Sequence, residues 1–238
     1  MVAGSADSWM ADSEGKPFLF HARIDLPALG ISPIAVFAHG SRVWGTDDEL
    51  SDRDHEVIVE DGWDGPEQVE VGGDGDETRQ FTIIPLSRWE REAHDCTVLF
   101  CECVSLPDDL VANRVVPDGW VPDPERIRRQ FSRTSSNSWV KAKKKLTVPG
   151  SFAPRIAKKS LWHSLRILMF GTQMLEHGRI ADMSVANGLW DEIKAMPDDW
   201  DALDARFRPI RNALRSEFRS RDGEMGIVRQ ARRREQGA

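Results

Sequence analysis

The period of the hydrophobic pattern changes once in this chain, and that change limits the folds open to it. Before about residue 122, apolar residues come in short runs bounded by Gly, Pro and Asp. "IAVFAHG" (residues 34–40) ends on glycine and reads as a buried strand, and "HEVIVE" (55–60) alternates like a second. "DGWDGPEQVEVGGDGDE" is rich in Gly and Asp and reads as a loop or hairpin, and "RQFTIIPL" (79–86) as a third strand. "SRWEREAHD" fits a short helix with Ser87 as N-cap. "CTVLFCECVSLP" is a further apolar segment stopped by Pro107. Three prolines in "VVPDGWVPDPE" then mark a boundary. Beyond it the spacing is helical. Pro124 stands near the start of "DPERIRRQFSRTSSNSWVKAKKKL". In "RIAKKSLWHSLRILMFGTQMLEHG", Leu161, Leu165, Leu168 and Leu175 keep helical spacing up to the stop at Gly178. "SVANGLWDEIKAM" and the Asp-capped "DDWDALDARFRPIRNALRSEFRSR" follow. The pattern predicts an α+β chain: a disordered lead (1–17), a mixed α/β domain (18–122), a helical domain (123–225) and a basic tail (226–238).

Charge divides at the same place. Residues 1–125 hold 8 Lys and Arg against 27 Asp and Glu, a net −19, while residues 126–238 carry a net +12. An acidic half suits metal ions. A basic half suits phosphates, or docking on the acidic one. With 40% apolar residues in 238, there is material for one large core or two modest ones. No apolar run nears the ~20 residues of a membrane span. The opening "MVAGSADSWMADSEGK" lacks the basic-then-apolar pattern of a signal peptide. Cys96, Cys101 and Cys103 are an odd, crowded set, unlike a disulfide framework. These features predict a cytoplasmic protein with no membrane partner.

The segment that carries chemistry is "HGSRVWGTDDELSDRDHEVIVE" (39–60). Gly40 lets the backbone approach a phosphate closely. Ser41, with the helix N-terminus behind it, can donate to phosphate oxygens. Asp52 and Asp54, two apart on a strand, should point to one face. Two carboxylates beside a phosphate cradle suit Mg²⁺ bridging an NTP. Arg42 either reaches a phosphate or pairs with Asp52, the second being favoured. His39 reads as a packed strand-end residue, and His55 points to the face opposite Asp54.

A strand, Gly-Ser, a helix, Asp-x-Asp and a second strand, in that order, resemble the DNA polymerase β-like nucleotidyltransferase superfamily. Residues 34–195 are similar to its RNA-ligase-associated minimal nucleotidyltransferases. The likeness lies in "QFTIIPLSRWEREAHDCTVLFCEC", where Glu102 matches a family Glu, and in "AKKSLWHSLRILMFGTQMLEHGRI", where Lys159, His163 and Arg166 match a Lys-His-Arg spacing. The resemblance implies a small mixed sheet with flanking helices and a helical C-terminal domain. It also implies an Mg²⁺- or Mn²⁺-dependent transfer of NMP from an NTP to an acceptor hydroxyl of an RNA end, a protein or a small molecule. Asp52 and Asp54 would be the metal ligands, and Gly40, Ser41, Arg42, Lys159, His163 and Arg166 would contact the nucleotide.

By that alignment the third metal carboxylate falls at Gln80, whose amide cannot act as a base. Either two carboxylates suffice, or Asp76 or Glu77 takes the third role, or the chain is a degenerate module that binds nucleotide or a partner without turnover. Lys159, His163 and Arg166 stand at i, i+4 and i+7, either a triphosphate clamp or an exposed basic stripe opposite the leucines. Cys96, Cys101, Cys103 and His94 hint at zinc, but strand alternation would make Cys101 and Cys103 core. "WVKAKKKL" and "RQARRREQ" could touch a nucleic-acid backbone, with Trp139 stacking on a base.

Overall fold

A computed structural model describes residues 26–48, 51–72 and 78–221. The disordered lead, the basic tail, Asp76 and Glu77 lie outside the described residues. The described parts of the chain form two compact units. The first takes in those of Met1–Val43, Asp47–His94 and Glu102–Trp120. The second takes in Trp44–Thr46, Asp95–Cys101 and those of Val121–Ala238.

The first unit is built on a sheet of five strands: β1 (Pro33–His39), β2 (Arg53–Val59), β3 (Gln68–Gly72), β4 (Thr78–Pro85) and β5 (Val111–Ala112). Their order is β3-β4-β2-β1-β5. β2 and β4 run parallel, and the other pairings are antiparallel. The Gly/Asp-rich segment therefore contains β3, which forms a hairpin with β4. Alternation assigns the two faces. Val57, Val59, Phe81 and Ile83 pack with Leu26 and Ile31 on one. His55 shares that face, its ring stacked on Phe81 at 5.0 Å. The other face carries Ala35, Ile58 and Ile84 at one end, and Phe37 stacks on Trp89 at 5.1 Å. Towards its other end this second face turns polar.

Two local expectations change. The helix after β4 is α2 (Leu86–Asp95), two residues earlier than a Ser87 cap would start it. A carboxylate from afar serves instead: the Ser87 N–H donates to Asp61 Oδ1 at 3.0 Å. The apolar segment that strand alternation would describe is a helix, α3 (Val98–Ser105). Cys101 and Cys103 are fully buried all the same, and the three cysteines are free thiols. No helix among the described residues is long and apolar enough to cross a membrane.

The second unit is helical: α4 (Pro124–Thr147), α5 (Pro154–His177), α6 (Asn187–Ala195) and α7 (Trp200–Ser220). Its ends follow local chemistry. Asp123 caps α4 by accepting from the Glu125 and Arg126 N–H groups, and Asp199 caps α7 through the Ala202 N–H. Gly178 closes α5 in the left-handed conformation that favours glycine. α5 is buried along most of its length between α4 and α7. Trp139 belongs to this core rather than to a base-stacking surface. It is 8% exposed, meets Trp200 edge-on at 5.4 Å and lies under Arg211.

Each unit gives a stability prediction. A Cβ at Gly171 of α5 would stand 2.6 Å from Phe218 and 3.1 Å from Phe131. Gly171→Ala should therefore lower the unfolding free energy by about 1–3 kcal/mol, despite alanine's better helix propensity. In the first unit, burial, with Arg79 adding, lowers the His55 pKa to about 4. Between pH 6.5 and about 4 the unfolded chain takes up a proton that folded His55 refuses, so this contribution is lost as pH falls. The loss should be on the order of 3 kcal/mol. Urea midpoints of wild type and His55→Asn across this range, in metal-free buffer, should differ in slope by that component.

Candidate functional site

The polar end of the second face is one row of side chains. His39 of β1, Asp54 of β2, Gln80 of β4 and Glu70 of β3 are successive register partners across four strands. Gln80 thus stands directly beside Asp54. Two residues along each strand, the next row reads Phe37, Glu56, Thr82 and Gln68. Asp52 precedes β2 and is exposed, so its direction is not set by the pleat that orients Asp54. The strand argument for one shared face reaches Asp54 but stops short of Asp52.

β1 runs straight into the Gly-Ser turn. Gly40 has φ +86°, and a Cβ there would overlap the Asp54 carboxylate, with Oδ2 the first atom met. Only glycine satisfies both conditions. Ser41 is buried and opens α1 (Ser41–Trp44), a single turn. Arg42 donates to Asp47 Oδ2 at 3.4 Å and to the Ser51 carbonyl at 3.2 Å. Its partner is Asp47 rather than the expected Asp52, and the contact ties the turn to the lead-in of β2.

Behind the row lies a cluster that sequence reading missed. His39 is more than a packed strand end. Its Nε2 stands 3.2 Å from Glu102 Oε2, and its Nδ1 stands 3.5 Å from Glu56 Oε1. Glu56 and Glu102 are both buried. Burial raises the Glu56 pKa; His39 opposes the rise, and the Asp54 carboxylate adds to it. The signal was present in "DHEVIV", where a Glu stands two places after Asp54, on the same face of an otherwise apolar strand. Among the described residues, no three His, Cys, Asp or Glu side chains stand together in a metal-holding group. The described cysteines thus form no zinc set, and the oxygen donors that the motif offers a cation are Asp52, Asp54 and the Gln80 amide. Such an all-oxygen set is of the hard kind that Mg²⁺ and Mn²⁺ take.

Lys159, His163 and Arg166 belong to the second unit. They share a side of α5 but not an environment. Lys159 is exposed, His163 is half-buried, and Arg166 is 2% exposed. The Arg166 guanidinium carbon lies 3.7 Å from the Trp44 ring centroid, 4.7 Å from that of Phe170 and 5.1 Å from that of Trp162. His163 meets Trp44 and Trp162, each at 5.0 Å. Asn187 Nδ2 donates to the Trp44 carbonyl at 2.8 Å, and Trp162 Nε1 donates to the Ala186 carbonyl at 2.9 Å. Arg166 is therefore not on an exposed basic stripe: it is a cation held among aromatic faces. The signal was Trp162 and Phe170, four residues to either side.

No protein-family model matches this sequence, and no curated protein matches it.

Burial of Arg166 yields a prediction opposite to that for an exposed position. Arg166→Ala should lower stability by roughly 3 kcal/mol, through a cavity and the lost cation–π contacts. Arg166→Lys should recover only part, since an ammonium lacks the flat guanidinium that stacks on rings. Thermal melts of the three proteins in one buffer measure both effects.

Proposed function

We propose that this chain is a divalent-metal-dependent nucleotidyltransferase that moves an NMP from an NTP to an acceptor hydroxyl and releases pyrophosphate. The observation that supports this reading most is the approach of Asp54 to Gly40. It sets a carboxylate beside a side-chain-free backbone turn, as a site for a metal-bound triphosphate requires. The polymerase-β-like fold belongs to the same proposal.

In this reading Asp52 and Asp54 hold Mg²⁺ or Mn²⁺, and Gln80 adds a neutral oxygen beside Asp54. When bound, such a cation offsets phosphate charge and polarises the phosphoryl group. The bare backbone at Gly40, the Ser41 hydroxyl and Arg42 bind phosphate oxygens. The acceptor oxygen forms a bond to the α-phosphorus as the bond to the β-phosphate bridging oxygen breaks. The acceptor's proton passes to Asp54 or to water, and the pyrophosphate carries away the bonding electrons; the Gln80 amide cannot act as the base. The resemblance assigns the clamp on the triphosphate to Lys159, His163 and Arg166. Lys159 is the exposed cation of the three, so it carries the test of that assignment.

A second reading, nucleotide binding without turnover, is favoured by the amide at Gln80 in the middle of the row. Labelled NTPs with Mg²⁺ or Mn²⁺ and total RNA or lysate separate the two. Transfer should occur in wild type and fall on the order of a hundredfold or more in Asp54→Ala. Gly40→Ala should lose it as well, by displacing the Asp54 carboxylate. Lys159→Ala should raise KM for the NTP with little change in kcat. Gln80→Asp should tighten Mg²⁺ binding under either reading. Equal labelling by wild type and the Asp52→Ala/Asp54→Ala double variant would refute transfer at this site. NTP binding without pyrophosphate release for any acceptor would establish the second reading.

A further inference from the structure

Helix α4 carries a line of cations that have no acidic partners among the described residues. Between Glu125 and Glu176 the sequence holds twelve Lys and Arg and no Asp or Glu. Arg129, Arg133, Asn137, Lys141 and Lys144 recur at intervals of three or four residues, so they share one side of α4. All five are exposed. The opposite side (Ile127, Phe131, Ser135, Trp139 and Ala142) is buried. Among the described residues, Arg129, Arg133, Lys141, Lys144 and Lys145 make no ion pair, whereas Lys158 pairs with Asp198 and Arg221 with Glu176. At about 1.5 Å per residue, the line from Arg129 to Lys144 runs roughly 22 Å.

Its C-terminal end is concave. Lys141, Lys144 and Lys145, with Asn137, Val140 and Ser151, line a pocket of about 340 Å³. Phe152, in the turn between α4 and α5, is 61% exposed. The α7 side adds positive charge. Arg211 donates to Ser136 of α4 at 3.3 Å, and burial, with Arg215 and Arg208 adding, lowers its pKa to about 10.

We infer that this face of α4 docks a single-stranded nucleic acid, with phosphates along Arg129, Arg133, Lys141, Lys144 and Lys145 and a base against Phe152. A line of cations fits a linear polyanion. A helix that lies in a membrane surface buries apolar side chains along its length, but here the exposed Val140, Val148, Phe152 and Ile156 stand towards one end of the line. An exposed ring next to the lysine pocket suits an unpaired base, which has a free face to stack. The inference does not depend on nucleotidyl transfer and stands or falls without it.

Fluorescence anisotropy of the full chain with end-labelled single-stranded RNA and DNA of about 20 nucleotides tests it. Affinity should fall with salt, with a log–log slope near −0.7 per phosphate contact, hence about −3.5 for five. Lys141→Gln/Lys144→Gln/Lys145→Gln should lower affinity at least about tenfold and make the slope shallower by about 2. Phe152→Ala should weaken binding by roughly fivefold or more and leave the slope unchanged. Circular dichroism checks that each variant keeps its helices. If the triple variant does not fold, photocrosslinking of iodouridine RNA to wild type decides: adducts within residues 146–155 support the site, and adducts only elsewhere overturn it. Unchanged affinity and slope in a folded triple variant overturn it too. So does failure of wild type to bind either strand at about 50 mM salt. Binding to phosphatidylserine–phosphatidylcholine vesicles but to neither oligonucleotide would assign the face to a membrane surface instead.

Discussion

Asp54 keeps its carboxylate where a side chain at Gly40 would otherwise stand, and the polar edge of the first unit is arranged around that contact. The positive φ at Gly40 turns the chain out of β1, and the missing Cβ leaves room for the carboxylate. Parallel pairing of β2 with β4 then puts Gln80 next to Asp54. Antiparallel pairing of β1 with β2 puts His39 on its other side. A one-residue slip in either register would send these side chains to the opposite face and bring His55 and Phe81 out of the core. The apolar packing of Val57, Val59, Phe81 and Ile83 is therefore what holds the polar row in place.

His39 adds a second constraint. Two buried carboxylates, Glu56 and Glu102, flank a single imidazole, close enough to Asp54 for the Asp54 charge to raise the Glu56 pKa. Buried acids in such numbers are costly unless something offsets them. His39 supplies part of that offset from inside the unit. A bound cation would supply more, and binding of a cation and protonation of Glu56 would then compete to relieve the same repulsion.

Where caps and stops are local, the sequence was readable. Asp123 before Pro124, Asp199 before Trp200 and Gly178 after His177 mark helix ends by contacts within a few residues. α3 was not readable, because "VLFCECVS" is apolar enough to fit either period. Nor was the cap of α2, which Asp61 provides from 26 residues away. At the candidate site, Gly40 and Asp54 could be paired from the motif because the turn and the strand sit close together in sequence. Glu102's contact with His39 spans 63 residues and has no local trace. Arg166 shows a different failure. Its spacing from Lys159 and His163 describes a shared side of a helix but says nothing of what covers that side, and the covering ring of Trp44 comes from far upstream.

The net +12 of the C-terminal half is likewise not one property. Packing puts its described cations in different environments. Arg166 is buried against aromatic faces, away from water. Lys158, Arg208 and Arg221 are tied to Asp198, Asp204 and Glu176 and add little to any long-range field. The cations along α4 face solvent with no acid in their stretch of sequence to answer them. Their mutual repulsion acts against the helix that bears them. That helix is held by its buried side, Ile127, Phe131, Trp139 and Ala142, against α5 and α7. A core strong enough to carry uncompensated charge on its outer face leaves that charge available to a counter-anion, and at ordinary salt its field reaches only about 8–10 Å from the surface. What distinguishes one anion from another is the linear placement of these residues, and this is a property of the 3.6-residue helix period.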